Sequence, residues 1–332
     1  MDNKYIIKKL GNGMSGTVFL VSDGTTEYAL KIEKIPEKYA KDYNKNILNL
    51  QSRDLREIEF SLNFANKYPE QFIYLYAYDI INNCDHIQEY TNNLNDYPNN
   101  IKNIYIEKKE SKYCIRKIYS LVDTVLKQII NKLTHKQIYS FVAQISYIIY
   151  LMQKEGYTHN DLQTNNVGVI NTNKEYIQIL DFMIPLFGYQ YLAIDFGMVL
   201  NDKYIMDDYE IEMHNDNKQN EITRVLKKLI SFEPNEQIKK IIDSDKNLLL
   251  FNQFIKSDDY RLVKDFGTCY EDRFIIYQIL FPTESQKMFF GAEYIRTYKP
   301  IYNCDKEDII YFFNNKLDLL KIIKYCDKKL KI

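Results

Sequence analysis

The chain has 332 residues, 45% hydrophobic and 27% charged, with a formal net charge of −1. That length allows two cores, and the near-neutral balance excludes the broadly basic surface that non-specific nucleic-acid binding requires. Its five cysteines are scattered and form no C-x-x-C pair, which disfavours a disulfide framework or a zinc site and fits a reducing, intracellular, cytoplasmic setting.

Residues 5–10, 17–21 and 27–33 read as three strands, bounded by Gly11 and by Ser22-Asp23-Gly24. Between the first two lies LGNGMSGTV (10–18), with Gly11, Gly13 and Gly16 inside a hairpin. Glycines there let backbone N–H groups approach a phosphate without Cβ interference. The last glycine leads into a β-branched strand rather than a helix, which sets it apart from a dinucleotide fold. On the next strand Ala29 and Lys31 alternate, so Ala29 can face a flat base while Lys31 reaches toward phosphates. Residues 46–67 read as a helix with Leu55, Ile58, Leu62 and Ala65 as its apolar stripe. It offers Glu57 and Glu59 as carboxylate partners for Lys31. Glu57 is favoured, because Phe60 and Phe64 follow it at i+3 and i+7.

QFIYLYAYDII (71–81) is strand-like, the polar run over about 82–104 reads as a solvated insertion, and residues 112–122 return to a strand. A helix spans 134–155, its apolar face formed by Ile138, Phe141, Val142, Ile145, Ile148, Ile149 and Met152, with Gly156 ending it. YSFVAQISYIIYLM (139–152), inside it, is too short and too polar to span a membrane, and MDNKYIIKKL lacks the apolar core of a signal peptide. The loop that follows carries His159, Asp161 and Asn166 and leads into a strand pattern at Val167–Ile170. Asp161 has access to a hydroxyl proton there, and Asn166 can offer its carbonyl oxygen to a divalent cation. Beyond residue 216 the pattern is mostly helical, ending in an amphipathic stretch from about Asp305. Strands first and helices later predict an α+β protein, with a small β-rich part before a larger α-rich one.

In this order the motifs resemble those of eukaryotic-type protein kinases. Gly11, Gly13, Gly16 and Val18 match the glycine-rich loop, and Ala29 and Lys31 the V-A-I-K strand. His159, Asp161, Leu162 and Asn166 match H-R-D-L-x-x-x-N, and Asp195-Phe196-Gly197 matches D-F-G. The Asn-rich composition, the HNDLQTNN segment and the long stretch before IDFG resemble kinases of giant and other large DNA viruses, which implies host cytoplasm or virion.

The resemblance implies a bilobal fold, with an N-lobe over 1–122 and a C-lobe over 123–332. The catalytic loop would lie at 157–166 and an insertion at about 171–190. ATP would lie under the amides of Leu10, Gly11, Asn12, Gly13, Met14, Ser15, Gly16, Thr17 and Val18. Lys31, steadied by Glu57, would hold the α- and β-phosphates, Asp161 would take the hydroxyl proton, and Asn166 and Asp195 would ligate Mg²⁺ or Mn²⁺. The expected activity is phosphoryl transfer from ATP to Ser/Thr hydroxyls of a protein, without nucleic-acid or membrane partners.

The pattern also departs from the family. Asn160 replaces the arginine that usually pairs with a phosphorylated loop, and residues 198–215 contain no Ser or Thr, which predicts activity without that phosphorylation. Gln163 resembles the catalytic loops of aminoglycoside and choline kinases, and no A-P-E follows, so a small-molecule kinase is the alternative. A pseudokinase scaffold is disfavoured, since Lys31, Asp161, Asn166 and Asp195 are all present. Gly168 stands where a bulkier apolar residue usually supports the adenine. Two Asp-Phe pairs compete for the metal role. Asp181 lies fifteen residues after Asn166, near the family's spacing, and Asp195 twenty-nine. Local chemistry selects Asp195, because Gly197 permits an abrupt turn after it, and assigns Asp181 to the insertion.

Overall fold

The computed structural model describes residues 5–12, 16–41, 52–82, 108, 110–226, 229–232, 300–302 and 304–331. Strands β1 (Tyr5–Asn12), β2 (Thr17–Ser22) and β3 (Glu27–Lys34) are followed by helices α1 (Glu37–Lys41) and α2 (Arg53–Asn63), then by β4 (Leu75–Asn82) and β5 (Tyr113–Tyr119). The five strands make one antiparallel sheet in the order β1-β2-β3-β5-β4.

Register sorts the side chains of this sheet by face, because directly opposed residues project the same way. Phe19, Val21, Leu30, Ile32, Cys114 and Ile118 form a small apolar cluster on one face. The other face carries the row Val18, Lys31, Lys117 and the row Leu20, Ala29, Tyr119. That second face packs toward α2, whose Leu55, Ile58 and Phe60 are fully buried. Gly16 is required by close approach: a Cβ there would lie 2.2 Å from the Ile32 carbonyl oxygen on β3.

After β6 (Thr124–Val125) and the short α3 (Leu126–Ile129) comes α4 (His135–Lys154). Thr134 caps α4 with a reciprocal box to Gln137, and its seven expected core residues are all buried. Then follow β7 (Tyr157–Thr158), β8 (Val167–Asn171), β9 (Tyr176–Ile179), β10 (Phe182–Pro185), β11 (Tyr189–Ala193) and β12 (Leu200–Asn201). Helix α5 (Asp208–Leu226), the pair β13 (Ile230–Phe232) and β14 (Pro300–Tyr302), and helices α6 (Lys306–Asn314) and α7 (Leu319–Leu330) complete the described chain. The short strands form the sheet β11-β8-β6 and the pairs β10-β9 and β12-β7.

The α+β class with an N-terminal antiparallel sheet therefore stands, and the strand expected at Val167–Ile170 is present as β8, joined by further short strands. Val167–Asn171 pairs with Tyr189–Ala193. Two expectations change. Leu62 is 43% exposed, because α2 buries Phe60 and Phe64 inward. Cys114 is disulfide-bonded, against the expectation of reduced cysteines; its partner lies outside the described residues, whereas Cys304 and Cys326 are free. Residues 46–51, expected as the start of the helix, most of the 82–104 insertion and residues 233–299 also fall outside the described residues. Among the described residues no helix is long and apolar enough to cross a membrane.

Gly168 has a packing reason. A Cβ there would meet Val122 Cγ1 at 2.7 Å and Ile194 Cγ2 at 3.1 Å, so Val122 already fills the space over β8. Gly168→Ala should therefore destabilise by roughly 1–3 kcal/mol through overpacking. Adding Val122→Ala should recover most of it in urea titrations; equal losses with and without Val122 would refute this account.

Candidate functional site

Lys31 is the centre of the site. Its ammonium donates to Glu57 Oε1 on α2 at 3.2 Å and to Asp195 Oδ1 at 2.7 Å. A third carboxylate, Glu33, pairs with it at 3.0 Å. Burial alone would lower the Lys31 pKa, but Asp195, Glu33 and Glu57 outweigh it and hold the group well above the usual lysine range. Of the two candidate carboxylates on α2, Glu57 is therefore the partner. Glu59 faces the other way, where it accepts from Lys203 at 2.9 Å and from the Tyr204 hydroxyl.

Helix α2 is held from behind as well. Arg53 Nε and Arg56 Nη1 donate to Glu210 Oε1 on α5 at 3.2 and 3.0 Å, and Arg56 also donates to the Ile205 carbonyl. Phe196 packs edge-on against Phe60 with centroids 4.7 Å apart, and lies 5.8 Å from the His159 ring. Apolar contact and charge thus fix the helix against the segment that carries Asp195.

The loop from His159 to Asn166 is pinned by a residue the sequence reading missed. Buried Glu221 on α5 accepts from the backbone N–H of His159 at 3.0 Å and of Asn160 at 2.6 Å. Burial pushes its carboxyl up to about 7, against those two donors and Arg224. Arg224 donates to the Asn160 carbonyl. Asn160 itself adopts φ 64°, a left-handed conformation that Asn tolerates better than most residues. Its Nδ2 donates to the carbonyls of Met198 at 2.9 Å and Thr158 at 3.3 Å, and its Oδ1 accepts from Asn217 at 3.0 Å. Asn160 is a buried junction between the loop, the chain after Gly197 and α5.

Asp161 and Asn166 meet directly: Asn166 Nδ2 donates to the Asp161 carboxylate and carbonyl, both at 2.8 Å. Burial and the neighbouring Asp195 raise the Asp161 pKa. The Ile194 N–H donates to the Asn166 carbonyl at 3.0 Å, so Asp195 follows one residue beyond the Asn166 backbone. Asp195 has φ 60° and a side chain 43% exposed. Asp181 is remote from all of this, exposed in the two-residue turn between β9 and β10.

The donor set suits a hard divalent cation. With the Asn166 amide nitrogen engaged by Asp161, its carbonyl oxygen is left to serve as a ligand beside the half-exposed Asp195 carboxylate, and such cations take oxygen donors. Leu10, Gly11 and Asn12 end β1 opposite Thr17 and Val18 on β2, with Val18 in the Lys31 row. Ala29 is partly buried two residues before Lys31. Gly13, Met14 and Ser15 lie outside the described residues.

Further participants went unread in the sequence. Lys117 is the one inward-facing charge of an otherwise apolar strand pattern, Glu33 shares its parity with Lys31 on β3, and Glu221 interrupts the buried face marked by Ile222, Val225 and Leu226. Those breaks in periodicity were the available signals. A scan against protein-family models gives no match for this chain, and neither does a search of curated proteins.

His159 donates from Nε2 to the Ile194 carbonyl at 3.1 Å, while Nδ1 is buried without a hydrogen-bond partner. Burial pushes its imidazole down to about 4, against the pull of Asp195. An unfolded histidine titrates near 6.5, so between about 6.5 and about 4 the unfolded chain binds a proton that the folded one refuses. The contribution, roughly 3 kcal/mol, is present in full above the higher value and is lost toward the lower one. The fall in urea midpoint between about pH 7 and about pH 4.5 should therefore be smaller in His159→Phe than in wild type; an equal fall would refute the assignment.

Proposed function

We propose that the chain is an ATP-dependent phosphotransferase of bilobal, protein-kinase-like architecture that acts on Ser/Thr hydroxyls of proteins. The observation that carries this reading is the triple convergence on one buried lysine. Lys31 on a strand meets Glu57 from a helix and Asp195 from a distant loop, beside the Asp161–Asn166 pair. Phosphoryl transfer needs little covalent chemistry from a protein and much positioning and charge neutralisation, and this set supplies both.

In the proposed mechanism, amides of residues 10–12 and 16–18 would lie over the phosphates, Ala29 would lie against the adenine, and Lys31 would turn from Asp195 to the α- and β-phosphates while Glu57 keeps it oriented. Asn166 and Asp195 would hold Mg²⁺ or Mn²⁺, which when bound would supply neutralisation of phosphate charge. Asp161 accepts the acceptor hydroxyl's proton, and its raised pKa makes it a stronger base than an exposed aspartate. Asn166 orients that carboxylate through its amide.

The test is transfer from labelled ATP to mixed protein acceptors, with aminoglycosides and choline as parallel acceptors. Asp161→Asn and Asp195→Ala should each lose about 100-fold or more in kcat, whereas Asp181→Ala should keep most activity. Loss in Asp181→Ala with retention in Asp195→Ala would overturn the register. Labelling of the small molecules alone would move the assignment to a small-molecule kinase, and a wild type no more active than Asp161→Asn would favour a scaffold.

Activity is expected not to depend on loop phosphorylation, since Asn160 offers no cation where the family's arginine stands. The Asn160 side chain is engaged by the Met198 and Thr158 carbonyls and Asn217, and Arg53 and Arg56 pair with Glu210. Phosphatase-treated protein should therefore retain full activity, and a large loss would refute this.

A further inference from the structure

The patch around Lys31 contains one cation and one anion more than the proposed chemistry uses. Lys117 on β5 and Glu33 on β3 are 0% and 1% exposed, beside Glu57 at 1% and Lys31 at 8%. The Lys117 ammonium pairs with both Glu33 and Glu57, and the Tyr119 hydroxyl donates to Glu57 Oε1 at 2.9 Å. Lys31 is thus shared among three carboxylates, at 2.7 Å to Asp195, 3.0 Å to Glu33 and 3.2 Å to Glu57.

Charge counting shows what the extra pair does. Once Asp195 turns to a cation, Lys31, Lys117, Glu33 and Glu57 sum to zero. Remove Lys117, and two buried carboxylates compete for Lys31 alone, at separations where attraction in a protein interior is strong. The phosphates of a nucleotide would have to win the lysine from both. Lys117 cannot assist by contact, since it is sealed from solvent behind Glu33 and Glu57. Burial raises the Glu33 pKa, and Lys117, then Lys31, are the groups that oppose that rise.

We propose that Lys117 is a positioning residue that neutralises Glu33 and anchors Glu57, so that Lys31 is released to bind the nucleotide's phosphates. This rests on the phosphoryl-transfer reading above. Glu33 and Lys117 then act as a compensating unit, and losing both is milder than losing the lysine alone.

The experiment compares wild type, Lys117→Met, Glu33→Gln and the double variant, following kcat and KM for ATP and the binding of a fluorescent ATP analogue. Lys117→Met should raise KM and weaken binding by about tenfold, with a much smaller change in kcat. The double variant should return most of the way to wild type, which general damage to the fold would not produce. Should Lys117→Met fail to fold, the double variant decides: near-normal KM supports the proposal and a tenfold rise overturns it. With an active wild type, an unchanged KM in folded Lys117→Met, or a double variant no better than the single, overturns this inference alone. A wild type that neither binds nor turns over ATP overturns the underlying reading, and this inference with it.

Discussion

Charge taken out of water must be matched at short range, and the space between the five-stranded sheet and α2 is organised by that requirement. An ion buried without partners costs several kcal/mol even after the surroundings relax. Two lysines and two glutamates are almost completely enclosed there. Their geometry is tolerable only if α2 stays at one height and one rotation, because Glu57 must meet Lys31, Lys117 and Tyr119 together. The rest of α2 serves the same constraint: Arg53 and Arg56 reach back to Glu210, and Phe60 packs edge-on against Phe196. The outcome is a lysine whose partners come from β3, α2 and the chain after β11, which is what makes the site sensitive to all three.

A second set of buried polar contacts performs the same task for the loops. Glu221 gathers two successive backbone N–H groups, and Arg224 takes the carbonyl of Asn160. Unsatisfied, such groups would each cost about 1–3 kcal/mol. Asn160 and Asp195 both have positive φ, and conformations of that kind persist where their surroundings over-determine them. Here α5 supplies the surroundings for one and Lys31 for the other.

Much of this was legible in the sequence, for physical reasons. The pairing of the first two strands, the alternation of Ala29 and Lys31, the capped helix after Thr134 and the separation of Glu57 from Glu59 are all local patterns, and the structure agrees with them. Legibility ended where a residue's meaning depends on contacts across the fold. Lys117 looks like any lysine in a strand until Glu33 and Glu57 are seen beside it, and Glu221 like any helical carboxylate until the loop amides arrive. Leu62 misled because a single stripe was assumed for a helix enclosed on several sides. The strand from Val167 was visible as an apolar run, whereas β6, β7, β9, β10 and β12, of two to four residues each, carry too little period to be read.

The β9–β10 hairpin bears on how motifs should be measured. It grows from the far end of the β8–β11 pair, whose register runs unbroken from Asn171 opposite Tyr189 to Val167 opposite Ala193. Extra chain at that end alters only the entropy of closing a loop, which rises with the logarithm of its length. The ladder beneath is indifferent to it. Distance along the polypeptide is therefore a poor ruler for such sites, and counting rungs back from the paired strands is a better one. By that count Asp195 stands at the foot of the ladder beside Asn166, however many residues are threaded through the tip.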